Sequence, residues 1–282
     1  MFSKTIGPGN GKCRQAELQV RRRPASAVVR QTPWSQIRLR DEFRCALFPF
    51  PIFRKYTMVL SDRDAQRLLG DALQSIDEYY EQRGIFQGKF GFGERPAIVV
   101  VDFAYGWTDS SYAGGSDRLD LPVEKTAELL AAGRQRGLPI IYTTSPYRPE
   151  TGDQPFKSAA DRSTTFRAWD ARACEIDQRV APEPSDLLIY KENASAFFGT
   201  HLAPYLIEQK VDTLLITGCS TSACIRATAT DAKGNRFRPV VVSDCVGDRS
   251  AVCHVFTLHD IQSRFADVVS LDQALQQLSD RD

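Results

Sequence analysis

The sequence predicts an α/β fold, a three-layer doubly wound domain built around a mostly parallel sheet of six strands. Short apolar runs alternate along the chain with longer segments whose apolar residues repeat at helical spacing. The first of these runs, within 97–102, has five consecutive apolar residues, which is typical of a strand covered on both faces. Together, the alternation and the continuous apolar runs favour parallel strands with helices on both sides of the sheet.

The predicted elements follow in a regular order from residue 62. Apolar side chains recur on one helical face over residues 62–83, and the Ser61–Asp64 segment is typical of a capped helix start. The expected strands are 97–102, 138–143, 186–190, 213–217, 239–242 and 266–269, and the further expected helices are 123–136, 199–209, 222–234, 250–264 and 271–278. Residues 144–185 are long, polar and irregular, and a segment of this kind often forms a lid or a substrate loop.

Composition and charge exclude several classes of protein. Of the 282 residues, 42% are hydrophobic and 25% are charged, which is ordinary globular composition and excludes wholesale disorder. Residues 1–57 hold twelve Lys and Arg against three Asp and Glu, whereas the remainder is mildly acidic. An acidic body argues against nucleic acid as the main partner. No apolar run approaches the length of about 18 residues that a membrane-spanning helix needs, so we expect no membrane partner.

The basic segment 1–57 shows no helical or strand periodicity and is set apart from a single domain over 58–282. It can be a transit-like, unstructured leader, or an extension upstream of a true start at Met58, and we favour the second interpretation. A secretory signal fits poorly, because Pro49 and Pro51 interrupt the one apolar stretch. If the segment is real, it can also bind anionic surfaces in a salt-sensitive way.

The seven cysteines are scattered and form no C-x-x-C pair, which fits a reducing compartment, and we expect a cytoplasmic protein. The chain has no His, Cys and carboxylate spacing typical of a zinc site, so we predict no metal. No G-x-G-x-x-G motif follows the first strand, so we expect no nicotinamide cofactor.

Three chemically distinct side chains follow predicted strands: Asp102, Lys191 and Cys224. Ligands bind at the carboxyl ends of the strands in open α/β sheets, so we expect these three side chains to converge there, with Ser243, Asp244 and Arg249 nearby. Each alone has an ordinary explanation, as a loop cap, a surface lysine or an inert buried thiol. Their convergence indicates a catalytic set instead.

The position of Cys224 near the start of a helix suggests how it would act. The helix dipole and Lys191 would both favour a thiolate, and Asp102 can take the thiol proton as a general base. The tight turn before this helix can also aim backbone N–H groups inward as an oxyanion hole, although an ordinary strand-to-helix turn would look similar.

Three stretches carry a resemblance to a known family. They are G-F-G-E-R-P-A-I-V-V-V-D ending at Asp102, Y-K-E-N-A-S-A-F-F-G-T with Lys191, and G-C-S-T-S-A-C-I-R-A-T-A with Cys224. In this order the chain resembles the isochorismatase-like cysteine hydrolases, specifically their N-carbamoylsarcosine amidohydrolase branch, over most of residues 84–280.

The resemblance implies specific roles within the site. Asp102, Lys191 and Cys224 would form a catalytic triad, and a cis peptide bond would precede Ser220. The N–H groups of Ser220 and Cys224 would form the oxyanion hole, with the Thr221 side chain close by.

Arg249 stands where this branch places an arginine that binds the substrate carboxylate. The fork of an Arg guanidinium suits a carboxylate, although Arg249 could instead form a surface ion pair with Asp248. Glu192, directly after the triad lysine, departs from the pattern and can either alter the charge balance or point to solvent.

The resemblance implies an amidohydrolase that releases ammonia from a small substrate bearing a carboxylate. N-carbamoylsarcosine, cleaved to sarcosine, carbon dioxide and ammonia, is the favoured substrate, and maleamate is the alternative. A catalytically silent binding module remains a third possibility. No cofactor is implied, the zinc pattern of nicotinamidases is missing, and a homo-oligomer, often a tetramer, is implied.

Overall fold

A computed structural model of the chain describes residues 61–146 and 170–280. Within these ranges the predicted α/β fold is confirmed, with six strands that all run parallel. The strands are β1 (Pro96–Val101), β2 (Ile140–Thr144), β3 (Leu187–Tyr190), β4 (Thr213–Cys219), β5 (Arg238–Gly247) and β6 (Asp267–Val269). The predictions for residues 1–57, and for most of the polar segment 144–185, lie outside the described residues.

Helices cover both faces of the sheet. They are α1 (Asp62–Arg83), α2 (Tyr105–Thr108), α3 (Asp120–Gln135), α4 (Leu202–Glu208), α5 (Arg226–Gly234), α6 (Ala251–Arg264) and α7 (Leu271–Ser279). Side chains of α3 and α7 share one core with Ile98 and Val100, and side chains of α4, α5 and α6 share the other with Val99 and Val101. Alternate residues of β1 therefore enter opposite cores, which explains its continuous apolar sequence.

The first helix is capped at both ends and packs on the domain. The Ser61 side chain caps α1, and Gly84 terminates it in the left-handed conformation at a φ of 63°. Leu73 is buried, and the His259 ring on α6 lies 2.8 Å from the Asp77 carboxylate of α1. α1 thus packs on the domain through α6. Although it is 22 residues long, neither it nor any other helix among the described residues is long and apolar enough to cross a membrane.

The strand order places a topological switch at the centre of the sheet. The order is β3-β2-β1-β4-β5-β6, so the chain leaves β1 toward one side and later returns to its other side at β4. The carboxyl ends of β1 and β4 lie side by side at this point, where ligands bind in open α/β sheets.

Two strands run further than predicted. β4 continues to Cys219, and a register shift between Ile216 and Gly218 lets β5 continue beside it to Gly247. The expectation that Ser243 and Asp244 follow the strand and face the site is therefore wrong. Both lie inside β5, where the Ser243 hydroxyl donates to the β6 carbonyl of Val269 and Asp244 accepts from the first N–H of α7.

Candidate active site

Asp102 is a buried carboxylate at the end of β1. It has a φ of 58°, a left-handed conformation that is uncommon outside glycine but tolerated by Asp and Asn. Its side chain is 5% exposed. The Thr143 hydroxyl donates to Oδ1 at 2.9 Å, and the Asp102 N–H donates to the Thr143 carbonyl at 3.0 Å. The neighbouring strand β2 thus fixes one carboxylate oxygen and leaves the other facing the site.

Lys191 supplies the positive charge that faces Asp102. Its Nζ lies 2.6 Å from Asp102 Oδ2, 3.0 Å from the Asn193 carbonyl oxygen and 3.5 Å from Cys224 Sγ. These three acceptors match the three N–H donors of an ammonium group. Burial acts to lower the pKa of Lys191, but the Asp102 carboxylate and Cys224 raise it by more, so the side chain stays charged.

Cys224 contacts both members of this pair. In addition to the contact with Lys191, its thiol shares a hydrogen bond with the Asp102 carboxylate. The structure brings together all three residues that the sequence predicts as a triad. Glu192 is exposed, which agrees with the solvent-facing interpretation of that carboxylate.

The expected thiolate at Cys224 is wrong for the resting site. Desolvation is the largest influence and, together with the Asp102 charge, raises the pKa of the thiol to about 12, while Lys191 lowers it by less. A neutral thiol therefore faces a carboxylate and an ammonium. This arrangement needs a base to remove the proton during attack, and Asp102 is within hydrogen-bond reach.

The last residue of β4 is a second cysteine, in a different environment. Cys219 is buried, and its thiol donates to the backbone carbonyl of Asp102 at 3.3 Å. Burial raises the pKa of Cys219 well above its ordinary value. Of the cysteines in the described ranges, only Cys224 has a contact with the Lys191 ammonium. This contact favours Cys224 over Cys219 as the candidate nucleophile, and the nucleophilic role of Cys224 stays a prediction.

The backbone of the turn after β4 is unusual. The peptide bond between Cys219 and Ser220 is cis, at the position that the family resemblance implies. Gly218 has a φ of 117°, and a Cβ there would overlap the Val101 carbonyl oxygen. Glycine at 218 thus lets β4 approach the end of β1, which brings the turn next to Asp102.

Cys224 lies on one turn of π-helix, Thr221–Ile225, that leads into α5. The Ser220 carbonyl accepts from the N–H groups of Ala223 and Ile225, and these bonds close the turn directly after the cis bond. Ser220 and Thr221 are both buried within it. Single π-turns of this kind occur frequently at functional sites. The oxyanion-hole role of the Ser220 and Cys224 amides stays a prediction.

Two side chains from the region after β5 hold this turn, and sequence reasoning missed both. The His254 ring lies 2.9 Å from the Thr221 hydroxyl, and burial lowers the pKa of His254 against the opposing effect of Asp248, so the ring is neutral at pH 7. The Asp248 carboxylate accepts from the N–H and the hydroxyl of Ser222 at 2.9 and 2.7 Å.

Arg249 lies on the loop that follows β5. Its guanidinium is 4.9 Å from the centre of the Trp107 ring, and Nη1 donates to the Gly114 carbonyl at 3.1 Å. The Asp248 carboxylate is hydrogen-bonded to the Ser222 turn instead, so the side chains do not form the alternative ion pair. Arg249 rests on the segment after β1, and its carboxylate-binding role stays a prediction.

Within residues 61–146 and 170–280, no group of three or more His, Cys, Asp or Glu side chains is arranged to hold a metal ion.

Comparison with known proteins identifies relatives over most of the described chain. The family model described as the isochorismatase domain matches residues 96–273. A maleamate amidohydrolase from Pseudomonas putida is 38% identical over 74% of this chain and 98% of its own length. An N-carbamoylsarcosine amidase from an Arthrobacter species is 32% identical over 75% of this chain and 81% of its own. Among solved structures, an isochorismatase family protein from Burkholderia thailandensis superposes with a TM-score of 0.60 at 27% identity, covering 67% of this chain and 97% of that one.

Proposed function

The chain belongs to the isochorismatase family and is an amidohydrolase, and we propose that it releases ammonia from a small carboxylate-bearing substrate through catalysis by Cys224. One observation carries the proposal. The Lys191 ammonium lies 2.6 Å from Asp102 and 3.5 Å from the Cys224 sulfur, so an acid–base pair and a candidate nucleophile meet at one point of the fold. A silent binding module has no need for this arrangement.

The first half of the reaction forms a covalent acyl-enzyme. Asp102 removes the thiol proton as Cys224 attacks the carbonyl carbon of the amide or carbamoyl group, and Lys191 stabilises the charges that develop. The Ser220 and Cys224 amides donate to the oxyanion, and each such donor is typically worth about 3 kcal/mol. Asp102 then returns the proton to the nitrogen, the C–N bond breaks, and ammonia leaves.

The second half of the reaction regenerates the thiol. Water takes the place of ammonia, gives a proton to Asp102 and attacks the thioester or thiocarbamate, and the C–S bond breaks as Cys224 recovers its proton. From maleamate and water the products are maleate and ammonia. From N-carbamoylsarcosine and water they are sarcosine, carbon dioxide and ammonia.

Arg249 would hold the substrate carboxylate away from the bond that is cut. Its contacts with Trp107 and Gly114 limit the positions that the guanidinium can take, which suits recognition of an anion at a fixed distance from Cys224. The greater similarity to the maleamate enzyme supports maleamate ahead of N-carbamoylsarcosine, the reverse of the preference drawn from the sequence motifs.

A cytoplasmic homo-oligomer, such as a tetramer, is also part of the proposal. Large apolar side chains on two helices, Ile207 on α4 and Phe256 on α6, are 66% and 50% exposed, and an interface between subunits would cover such groups. Light scattering of the purified protein would give the number of subunits.

Ammonia release from the full chain tests the catalytic proposal. Maleamate and N-carbamoylsarcosine are offered in parallel to the wild type, to Cys224→Ala and to Cys253→Ala, in which an exposed cysteine of α6 is replaced. We expect wild-type turnover of at least one substrate. Turnover should fall about 10⁴-fold or more in Cys224→Ala, because the covalent route is lost, and stay near wild type in Cys253→Ala.

Two outcomes would contradict the proposal. A Cys224→Ala variant that retains turnover would remove the nucleophile from its role. A wild type that hydrolyses neither acid, and whose Cys224 reacts with iodoacetamide no differently from the other cysteines, would favour the silent binding module.

A further inference from the structure

Asp248 is a buried carboxylate between β5 and α6 that the proposed mechanism does not use. The residue is 8% exposed. Its Oδ2 accepts from the N–H and the hydroxyl of Ser222, at 2.9 and 2.7 Å, and its Oδ1 accepts from the Ser250 N–H at 3.2 Å. These three donors are its partners in the described part of the chain, and none belongs to a lysine or arginine. Burying a charge whose hydrogen-bond donors are all neutral costs free energy, so the presence of a carboxylate at position 248 needs an explanation.

Capping of α6 is not a sufficient reason. The Ser250 side chain already caps this helix by accepting from the Cys253 N–H at 3.2 Å. Two of the three bonds to Asp248 come instead from Ser222, which lies 26 residues away in sequence on the turn after β4. The Asp248 carboxylate therefore mainly connects its own loop, after β5, to the turn after β4.

These two loops carry the two ends of the proposed site. Ser222 lies two residues before Cys224 on the π-turn, and Asp248 directly precedes Arg249. One hydrogen-bonded side chain thus joins the backbone that bears the nucleophile to the backbone that bears the predicted carboxylate anchor. The Arg249 side chain turns away from this link to Trp107 and Gly114, so its backbone and its guanidinium are fixed by separate contacts.

We propose that Asp248 is a positioning residue that sets the spacing between Cys224 and Arg249, and that the enzyme thereby selects substrates whose carboxylate lies at a fixed distance from the amide. The inference rests on the proposed function. A charge-assisted link at a buried position resists small displacements, and a displacement of about 1 Å at a reacting centre can cost about 100-fold in rate.

The test compares an acid with its neutral methyl ester. The acid is whichever of maleamate and N-carbamoylsarcosine the wild type hydrolyses, and the readouts are kcat and KM for the acid and the ratio of kcat/KM between acid and ester. For Asp248→Ala we expect a lower kcat, a higher KM for the acid and a ratio reduced about tenfold or more. Ser222→Ala, which removes one of the three bonds, should shift the ratio in the same direction by less.

Two further variants separate positioning from folding. Asp248→Asn keeps an oxygen that can accept from Ser222, but its NH₂ group cannot accept from the Ser250 N–H. The acid-to-ester ratio of this variant should therefore lie between those of the wild type and Asp248→Ala. Asp244→Ala removes a carboxylate within β5 that accepts from the Leu271 N–H at 2.7 Å, and it should leave the ratio unchanged. If Asp248→Ala proves too unstable to assay, the Asn and Ser222 variants carry the test.

The outcomes distinguish the two proposals. A wild type without turnover of either acid counts against the proposed function itself. An active wild type whose folded Asp248 and Ser222 variants keep the wild-type ratio of acid to ester would overturn the positioning role and leave the triad standing.

Discussion

The two edges of the sheet both bury carboxylates, but they supply them with different partners. At the amino edge, Asp267 accepts from the backbone N–H groups of Phe90 and Gly91, at 3.0 and 2.7 Å. At the carboxyl edge, Asp102 faces the Lys191 ammonium and the Cys224 thiol. Asp267 and Asp102 are almost equally buried, at 5% and 3% exposure.

The difference teaches that burial of a charge does not by itself identify a functional residue. Backbone amides hold a carboxylate firmly but do not exchange protons with it at ordinary pH, so the contact of Asp267 stabilises a loop. A thiol and an ammonium can each lose a proton, so the contacts of Asp102 can support chemistry. The chemical type of the partner distinguishes the two edges. Substitutions at the carboxyl edge should therefore change turnover, and substitutions at the amino edge should change stability.

The largest effect is expected for Asp102→Asn. Turnover should fall about 10³-fold or more, because the general base is lost. Alkylation of Cys224 by iodoacetamide at pH 7.5 should nevertheless become faster. Removal of the carboxylate charge lowers the pKa of the thiol from about 12, while Lys191 continues to favour the thiolate. Mass spectrometry of the labelled cysteines measures this rate.

Asparagine suits the left-handed backbone of residue 102, so the variant should fold normally. Slower alkylation in a folded Asp102→Asn protein would contradict the electrostatic account of Cys224. Cys253, which is exposed and distant from the triad in sequence, serves as the internal reference for labelling.

An intermediate effect, on stability alone, is expected for Asp267→Ala. Two half-buried amides lose a charged acceptor, and the free energy of unfolding should fall by about 2–3 kcal/mol. The value of kcat/KM should stay within about twofold of wild type, because no reacting group contacts Asp267. Urea unfolding measures the stability and ammonia release measures kcat/KM. A loss of kcat without a loss of stability would contradict the distinction between the two edges.

The smallest effect is a pH dependence at the amino edge. Burial acts to raise the pKa of Asp212, but hydrogen bonds from Thr213, Glu94 and Arg95 lower it by more, so the folded-state pKa lies below its ordinary value of 3.8. The stability that this carboxylate contributes is present above pH 3.8 and is lost as the pH falls through the folded-state pKa.

Asp212→Asn should therefore be less stable than wild type at pH 6 and should lose less stability than wild type between pH 4 and pH 2. Urea unfolding across this range tests the expectation. Parallel curves for the two proteins would show that the carboxylate contributes no acid sensitivity.

The sequence predicts the triad because each member follows an apolar run, and such runs are readable from local pattern. It does not predict the contacts of Thr143, Asp248 or His254, because these side chains meet the site across 41, 26 and 33 residues of chain. Such contacts depend on how the loops pack against one another, which the local sequence pattern does not show.

Two errors of the sequence-based prediction have physical causes. The polar pair Ser243 and Asp244 looks like the end of a strand, but both residues satisfy their hydrogen bonds within the sheet and at the start of α7, so β5 continues. The thiolate predicted at Cys224 took account of Lys191 and the helix dipole, whereas desolvation and the Asp102 charge have the larger effect.

Gly218 has a consequence for anyone who wishes to redesign the enzyme. Because a side chain there would collide with the carbonyl of Val101, the position admits no diversity without parting the two central strands. A mutant library aimed at new substrates should therefore keep Gly218 constant and place its variation outside this turn, for example at Trp107, which contacts the Arg249 guanidinium. A library of this kind would change substrate recognition while the close approach of β4 to β1, and with it the position of the turn beside Asp102, stays unchanged.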